Sequence, residues 1–105
     1  MDDPTKIFAL SKIFHEPARL AIMTLLSARP EGVDFNEMRN TLKMTKGNLV
    51  VHISKLEEAG YVEVLKEFLD RQPRTLYRAT TLGREDFSIY LRLLEDIISQ
   101  ARKYA

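Results

Sequence analysis

Along most of the chain apolar residues return every three or four positions, and in one region they return every second. The stretch "DDPTKIFALSKIF" has Asp3 placed as an N-cap and Pro4 at the first helical position, where proline's missing N–H costs nothing, and it predicts a helix over about residues 4–14. Ile7, Leu10 and Phe14 mark one face of that helix, while Phe8, Ala9 and Ile13 spread around it. "HEPARLAIMTLLSARPEG" repeats the grammar: Pro17 in the first turn, Leu20, Ala21, Leu25 and Ala28 on one stripe, then Pro30 and Gly32 as breakers. A second helix is expected over 17–28. Val33 to Phe35 form a short extended lead-in, after which Phe35, Met38, Arg39 and Leu42 return at helical spacing and predict a helix over 36–42. "KMT" separates it from a fourth helix, over 46–59, with Thr45 as N-cap and Leu49, Ile53 and Leu56 as its apolar stripe. Gly60 is expected to end that helix in the left-handed conformation.

Past Gly60 the period changes to two. "YVEVLKEFL" alternates Val62, Val64 and Lys66 against Glu63, Leu65 and Glu67, and "TLYRAT" alternates Leu76, Arg78 and Thr80 against Thr75, Tyr77 and Ala79, with "DRQPR" as a polar turn between. This is a hairpin. Thr81 then caps a last helix over 82–104, about 34 Å long at about 1.5 Å per residue. It carries Phe87, Tyr90, Leu91, Leu94, Ile98 and Ala101 on one stripe, expected to face the core. Ile89, Leu93, Ile97 and Tyr104 form a second stripe beside it.

The expected class is mainly α with a small β-hairpin (α+β), one domain over 1–105. Helices three and four, joined by three residues, have the layout in which a second helix lies in the DNA major groove and the first braces it. On a helical wheel Gly47, Asn48, Val51, Ser54, Lys55 and Glu58 point away from the Leu49, Ile53 and Leu56 stripe, a small and mixed face suited to a groove about 12 Å wide.

Charge and composition narrow the chemistry. Sixteen Lys and Arg stand against 15 Asp and Glu, a net +1 that does not by itself indicate a polyanion partner. The positive charge is local: Lys66, Arg71, Arg74, Arg78 and Arg84 face only Glu67 and Asp70 between residues 66 and 84. There is no cysteine, which removes disulfides and thiolate metal sites and fits a reducing compartment, and the two histidines cannot alone cage a metal. No apolar run approaches the roughly 20 residues of a membrane span, and "MDDPTK" lacks a secretory order, so a cytoplasmic protein is expected. The carboxylates read as solvated helix charges. With no nucleophile–base pair, phosphate-cradling loop or metal spacing, no catalytic residue, metal or cofactor is expected.

"EPARLAIMTLL", "VDFNEMRNTL", "TKGNLVVHISKLEEAGYVEV" and "RTLYRATTLGRE" together resemble the ArsR and MarR groups of winged-helix transcriptional regulators, over nearly the whole chain. The resemblance implies a winged helix-turn-helix, with the helix-turn-helix over about 36–59, the wing over about 61–80 and a dimerisation helix over about 82–104. It also implies a homodimer bound to double-stranded DNA, the fourth helix in the major groove and the wing at the adjacent minor groove or backbone. Carried over residue by residue, the DNA-binding positions fall on Thr45, Lys46, Asn48, Val50, Val51 and Lys55, and on Arg71 and Arg74 in the wing, with Val50 expected to lean towards packing. His52 is expected to be a partly buried structural residue. The chain departs from its relatives at Val50 and Val51, where they carry serine and then a polar or basic residue. Valine can make only apolar contact, for instance with a thymine methyl, which leaves more of the affinity to cations and DNA shape.

The last helix overreaches a domain of this size, and the first is two-sided. Both are expected to pack on their symmetry mates through Ile7, Phe8, Ile13, Ile89, Leu93, Ile97 and Tyr104. The rival reading is a winged-helix protein-interaction module without DNA binding, favoured by the two valines and the near-neutral total charge.

Overall fold

The computed structural model describes residues 3–105. A 3-10 helix (Pro4–Ala9) leads into α1 (Pro17–Ala28), β1 (Val33–Asp34), α2 (Phe35–Leu42), α3 (Lys46–Glu58), β2 (Val62–Leu69), β3 (Gln72–Ala79) and α4 (Thr81–Tyr104). The three strands form one antiparallel sheet in the order β1-β3-β2, with β1 contributing only two residues opposite Leu76 and Tyr77. Among the described residues no helix is long and apolar enough to cross a membrane.

The first helix is shorter and tighter than its sequence suggests. Asp3 does cap it, accepting from the backbone N–H of Thr5 at 2.9 Å, but the helix ends when Leu10 turns extended (φ −64°, ψ 136°). Beyond it the Ser11 hydroxyl accepts from the Phe14 N–H at 3.3 Å, a local bond that competes with continued helix. The break turns Leu10 and Phe14 inward and leaves Ile7 exposed, so the three do not share a face. Phe14 becomes the centre of an aromatic cluster, stacked on Tyr61 at 4.6 Å and edge-on to Phe87 at 5.2 Å.

Helix α1 has the expected limits but a different buried face: Arg19, Ile22, Met23 and Leu26, not the stripe through Leu20 and Ala28. It is apolar nearly all round because it packs centrally against α2, α3 and β3. Helix α3 is held on Leu49, Ile53 and Leu56, and Gly60 takes φ +81° behind it as expected.

Helix α4 is capped by Thr80, one residue before the expected Thr81. The Thr80 hydroxyl accepts from Gly83 N–H at 2.9 Å while donating to the Gly60 carbonyl at 2.6 Å, which ties the helix start to the end of α3. Phe87 and Tyr90 are buried and Leu94 is partly so, but Leu91 and Ile98, expected on the core stripe, are exposed. The body is narrower than the apolar arc of α4, so both shoulders of that arc remain in the open. The long helix and the wing draw the molecule out to 59 × 26 × 21 Å, with a radius of gyration of 15.9 Å against about 13 Å for a compact chain of this length.

Candidate nucleic-acid interface

Helix α2 starts on the Asp34 carboxylate, which accepts from the N–H groups of Asn36 and Glu37, and ends on Lys43 in the left-handed conformation (φ 54°). That reversal throws the chain through Met44 to Thr45, whose hydroxyl accepts from Asn48 N–H at 3.2 Å and starts α3. The α3 N-terminus thus points outward, its free N–H groups and positive dipole end next to Lys46.

Thr45, Lys46, Gly47, Asn48, Val51, Ser54 and Lys55 are all exposed on one side of α3, and Leu49, Ile53 and Leu56 are buried on the other. Val51 is 53% exposed. Val50, expected to lean towards packing, is 45% exposed and joins it. The structure therefore brings together every α3 residue singled out in the sequence. It leaves an apolar pair, Val50 and Val51, flanked by two lysines. Gly47 belongs to this surface for a reason periodicity does not reveal: a Cβ built there would meet nothing within 4 Å, so the fold itself has no use for a glycine at that position.

His52 fastens the middle of α3 to the body. Arg19, 8% exposed, donates from Nη1 to His52 Nδ1 at 3.0 Å, from Nε to the Ile13 carbonyl at 2.6 Å and from Nη2 to the Lys12 carbonyl at 3.3 Å. An accepting Nδ1 places the neutral imidazole's proton on Nε2. Glu16 Oε2 lies 3.4 Å from the same nitrogen. Burial raises the Glu16 carboxyl, but the N–H groups of Arg19 and Ala18, with the charge of Arg19, outweigh it and hold it below its ordinary value. One buried guanidinium thus links α3 to the segment that follows the N-terminal 3-10 helix. Sequence reasoning did not identify Arg19, because its partners lie 6, 7 and 33 positions away.

The wing is two eight-residue strands joined by only Asp70 and Arg71, both in the left-handed region (φ 51° and 67°), the geometry of a type I′ hairpin turn. Pro73 belongs to β3 opposite Phe68, two positions from the turn, where a hairpin of this kind needs no N–H from it. The two arginines singled out in the wing occupy different settings. Arg71 is at the tip. Arg74 lies within β3 opposite Glu67, with Nε 3.7 Å from its carboxylate, and Arg78 is likewise bonded to Glu63 across the ladder. Among the described residues no ion pair takes up Lys66 or Arg71.

Of the residues placed at a dimer contact, Ile7, Phe8, Ile89 and Tyr104 are exposed, whereas Ile13, Leu93 and Ile97 are partly buried against the chain's own core. Ile7, Ile97, Ala101 and Tyr104 border an apolar cavity of about 430 Å³ between the 3-10 helix and the end of α4.

Comparison with known proteins places this geometry. The sequence model of a family described as a winged helix DNA-binding domain matches residues 18–98. An uncharacterised protein of Methanocaldococcus jannaschii is 38% identical over 80 residues, covering 76% of this chain and 86% of that protein. The solved structure of a transcriptional regulator homologue from Pyrococcus horikoshii OT3 superposes with a TM-score of 0.84 at 35% identity, over 93% of this chain and 96% of that one. A MarR-family transcriptional regulator from Silicibacter pomeroyi shares the fold at a TM-score of 0.57 and 18% identity, over 95% of this chain and 60% of the longer regulator.

Proposed function

Because this chain belongs to the winged-helix DNA-binding domain family, we propose that it is a sequence-specific double-stranded DNA-binding transcriptional regulator acting as a homodimer. Winged-helix regulators are not enzymes. In this reading α3 enters the major groove with Thr45, Lys46, Asn48, Val51 and Lys55 towards the DNA, and the wing brings Arg71 and Arg74 to the adjacent minor groove or backbone. The carrying observation is the two-sidedness of α3: an uncovered face with two lysines and two exposed valines, on a helix locked from behind by Leu49, Ile53 and Leu56 and by the Arg19–His52 bond.

Two features strengthen it. Arg71 occupies a left-handed position where glycine is the ordinary residue, at a cost of about 1 kcal/mol, so the side chain is kept at the tip for something outside the fold. Lys46 and Lys55 sit where phosphates would pass, with Glu57 and Glu58 at the far end of the helix.

The homodimer rests on exposed apolar side chains: Ile7 and Phe8 on the 3-10 helix, Ile89 and Tyr104 on one shoulder of α4, and Leu91 and Ile98 on the other. Two-fold pairing there would set two α3 helices about 34 Å apart and call for a pseudo-palindromic site. A regulator of chromosomal DNA works where that DNA is, in the cytoplasm on this reading. The test is binding of labelled random duplex at several salt concentrations, followed by selection of bound fragments. Affinity falling steeply with salt, and a two-fold symmetric consensus, are expected. Absent or salt-independent binding would instead favour a protein-interaction module.

A further inference from the structure

The two faces of the wing are chemically different. Strand alternation puts Val62, Val64, Lys66 and Phe68 on one face with their ladder partners Ala79, Tyr77, Thr75 and Pro73. At its inner end this face is seated on the helical body: Val62 and Ala79 are buried, and the Tyr77 ring lies 6.0 Å from that of Phe35 on α2. The opposite face carries the Glu63–Arg78 and Glu67–Arg74 pairs on either side of Leu65 and the buried Leu76, and ends at the smaller Leu69, 52% exposed, opposite Gln72. Followed outward, the body-side face ends at Phe68, which is 77% exposed beside Pro73, with Lys66 and Arg71 as flanking cations. Nothing in the fold uses the Phe68 ring.

We propose that Phe68, stiffened by its cross-strand neighbour Pro73, is an apolar wedge that enters the minor groove next to the α3 site and partly unstacks one base step. The inference rests on the DNA-binding reading above. The occupant follows from charge and reach. Among the described residues, Lys66 and Arg71 near an exposed ring outnumber the one carboxylate at the tip without an ion pair, Asp70, and that positive surplus suits a polyanion better than an apolar protein face. From Lys66, where β2 becomes fully exposed, to the turn the wing projects about 15 Å at about 3.3 Å per residue, about half the 34 Å repeat of a duplex, a reach that lets the tip meet a groove beside the one α3 would occupy. An inserted phenylalanine kinks the duplex most cheaply at pyrimidine–purine steps. The site should therefore prefer TA or CA/TG at a flank position that no hydrogen bond reads.

The probe is a duplex of about 30 base pairs recovered from a random pool by the wild-type chain, with a dye pair on its ends and 2-aminopurine replacing one flank adenine at a time. Wild-type protein should raise 2-aminopurine emission several-fold at one pyrimidine–purine step and shorten the end-to-end distance. Phe68→Ala should abolish the rise, straighten the duplex and weaken binding about tenfold; Phe68→Leu, which keeps an apolar wedge, should retain most of each signal. Because Phe68 is exposed, both variants keep the fold. Wild-type emission and bend from Phe68→Ala would overturn the wedge, as would a change of molecular mass in free Phe68→Ala, which would make the tip a contact between copies. Failure of the wild-type chain to bind any duplex would overturn the DNA reading itself.

Discussion

Two glycines, each in the first turn of a threonine-capped helix, should answer opposite ways to the same methyl group. Gly83 is at the third position of α4, and a Cβ there would stand 2.2 Å from the Tyr61 carbonyl oxygen and 3.0 Å from its carbonyl carbon. That oxygen cannot give way easily. It accepts the Thr80 N–H at 3.0 Å, and Tyr61 is stacked on Phe14 while its hydroxyl donates to Asp86 at 2.9 Å. Relieving an overlap of about 1 Å against backbone belongs at the upper end of overpacking costs, about 3 kcal/mol, or about 12 °C in Tm for a chain of this length. Gly47 is at the second position of α3 and has open space where its Cβ would go. Alanine there removes conformational freedom from the unfolded chain and should stabilise by about 0.5 kcal/mol, or about 2 °C.

The gain should come at the expense of function, because the new methyl would hold the start of α3 away from the groove. Gly47→Ala should bind a selected duplex about tenfold more weakly, a change of about 1.4 kcal/mol. Thermal melts followed by circular dichroism, paired with fluorescence anisotropy on labelled DNA, measure both quantities for each variant. The reasoning fails if the two variants move Tm in the same direction. A more stable Gly47→Ala with unchanged affinity would remove that turn of α3 from the interface.

Three further substitutions test other parts of the structure. Arg71→Gly should relieve the left-handed strain at the wing tip and raise Tm by about 4 °C, while lowering the slope of log affinity against log salt by about one; an unchanged slope would exclude a phosphate contact by Arg71. Arg19→Met should destabilise by about 3 kcal/mol, because the Ile13 and Lys12 carbonyls and His52 Nδ1 lose a buried cationic donor together, and urea unfolding reads the loss directly. The Glu16 carboxyl is held below its ordinary value of 4.5, so its stabilising effect is present above that pH and is lost as the pH falls through the lowered folded value. Glu16→Gln should therefore be less stable than wild type near neutrality, and the gap should close in acid; a gap constant down to pH 3 would contradict the assignment.

What could be read from the sequence, and what could not, divides by the range of the interaction. The limits of α1, the start of α3 at its Thr45 cap and the left-handed Gly60 are local events written in adjacent residues, and the structure has them as expected, with α3 ending at Glu58, one residue early. The break after Ala9 is local too, but it depends on whether the Ser11 hydroxyl or the helix wins, a contest that a stripe through Ile7, Leu10 and Phe14 cannot settle. Arg19 was invisible because its importance comes from His52 across a helix pair. The wing is the most instructive case. Asp70-Arg71 lacks the glycine that advertises a two-residue hairpin, so the sequence suggests a longer polar turn through Arg74. Once the turn is known to be those two residues, the register pairs Glu67 with Arg74 and Glu63 with Arg78 by counting alone. Arg74 and Arg78 then each face a carboxylate across the strands, and among the described residues the charged side chains of the outer wing left without an ion pair are Lys66, Asp70 and Arg71, a surplus of one positive charge around Phe68. The charge the wing presents to any partner is therefore set less by how many arginines it holds than by the turn that decides which of them face a carboxylate across the ladder.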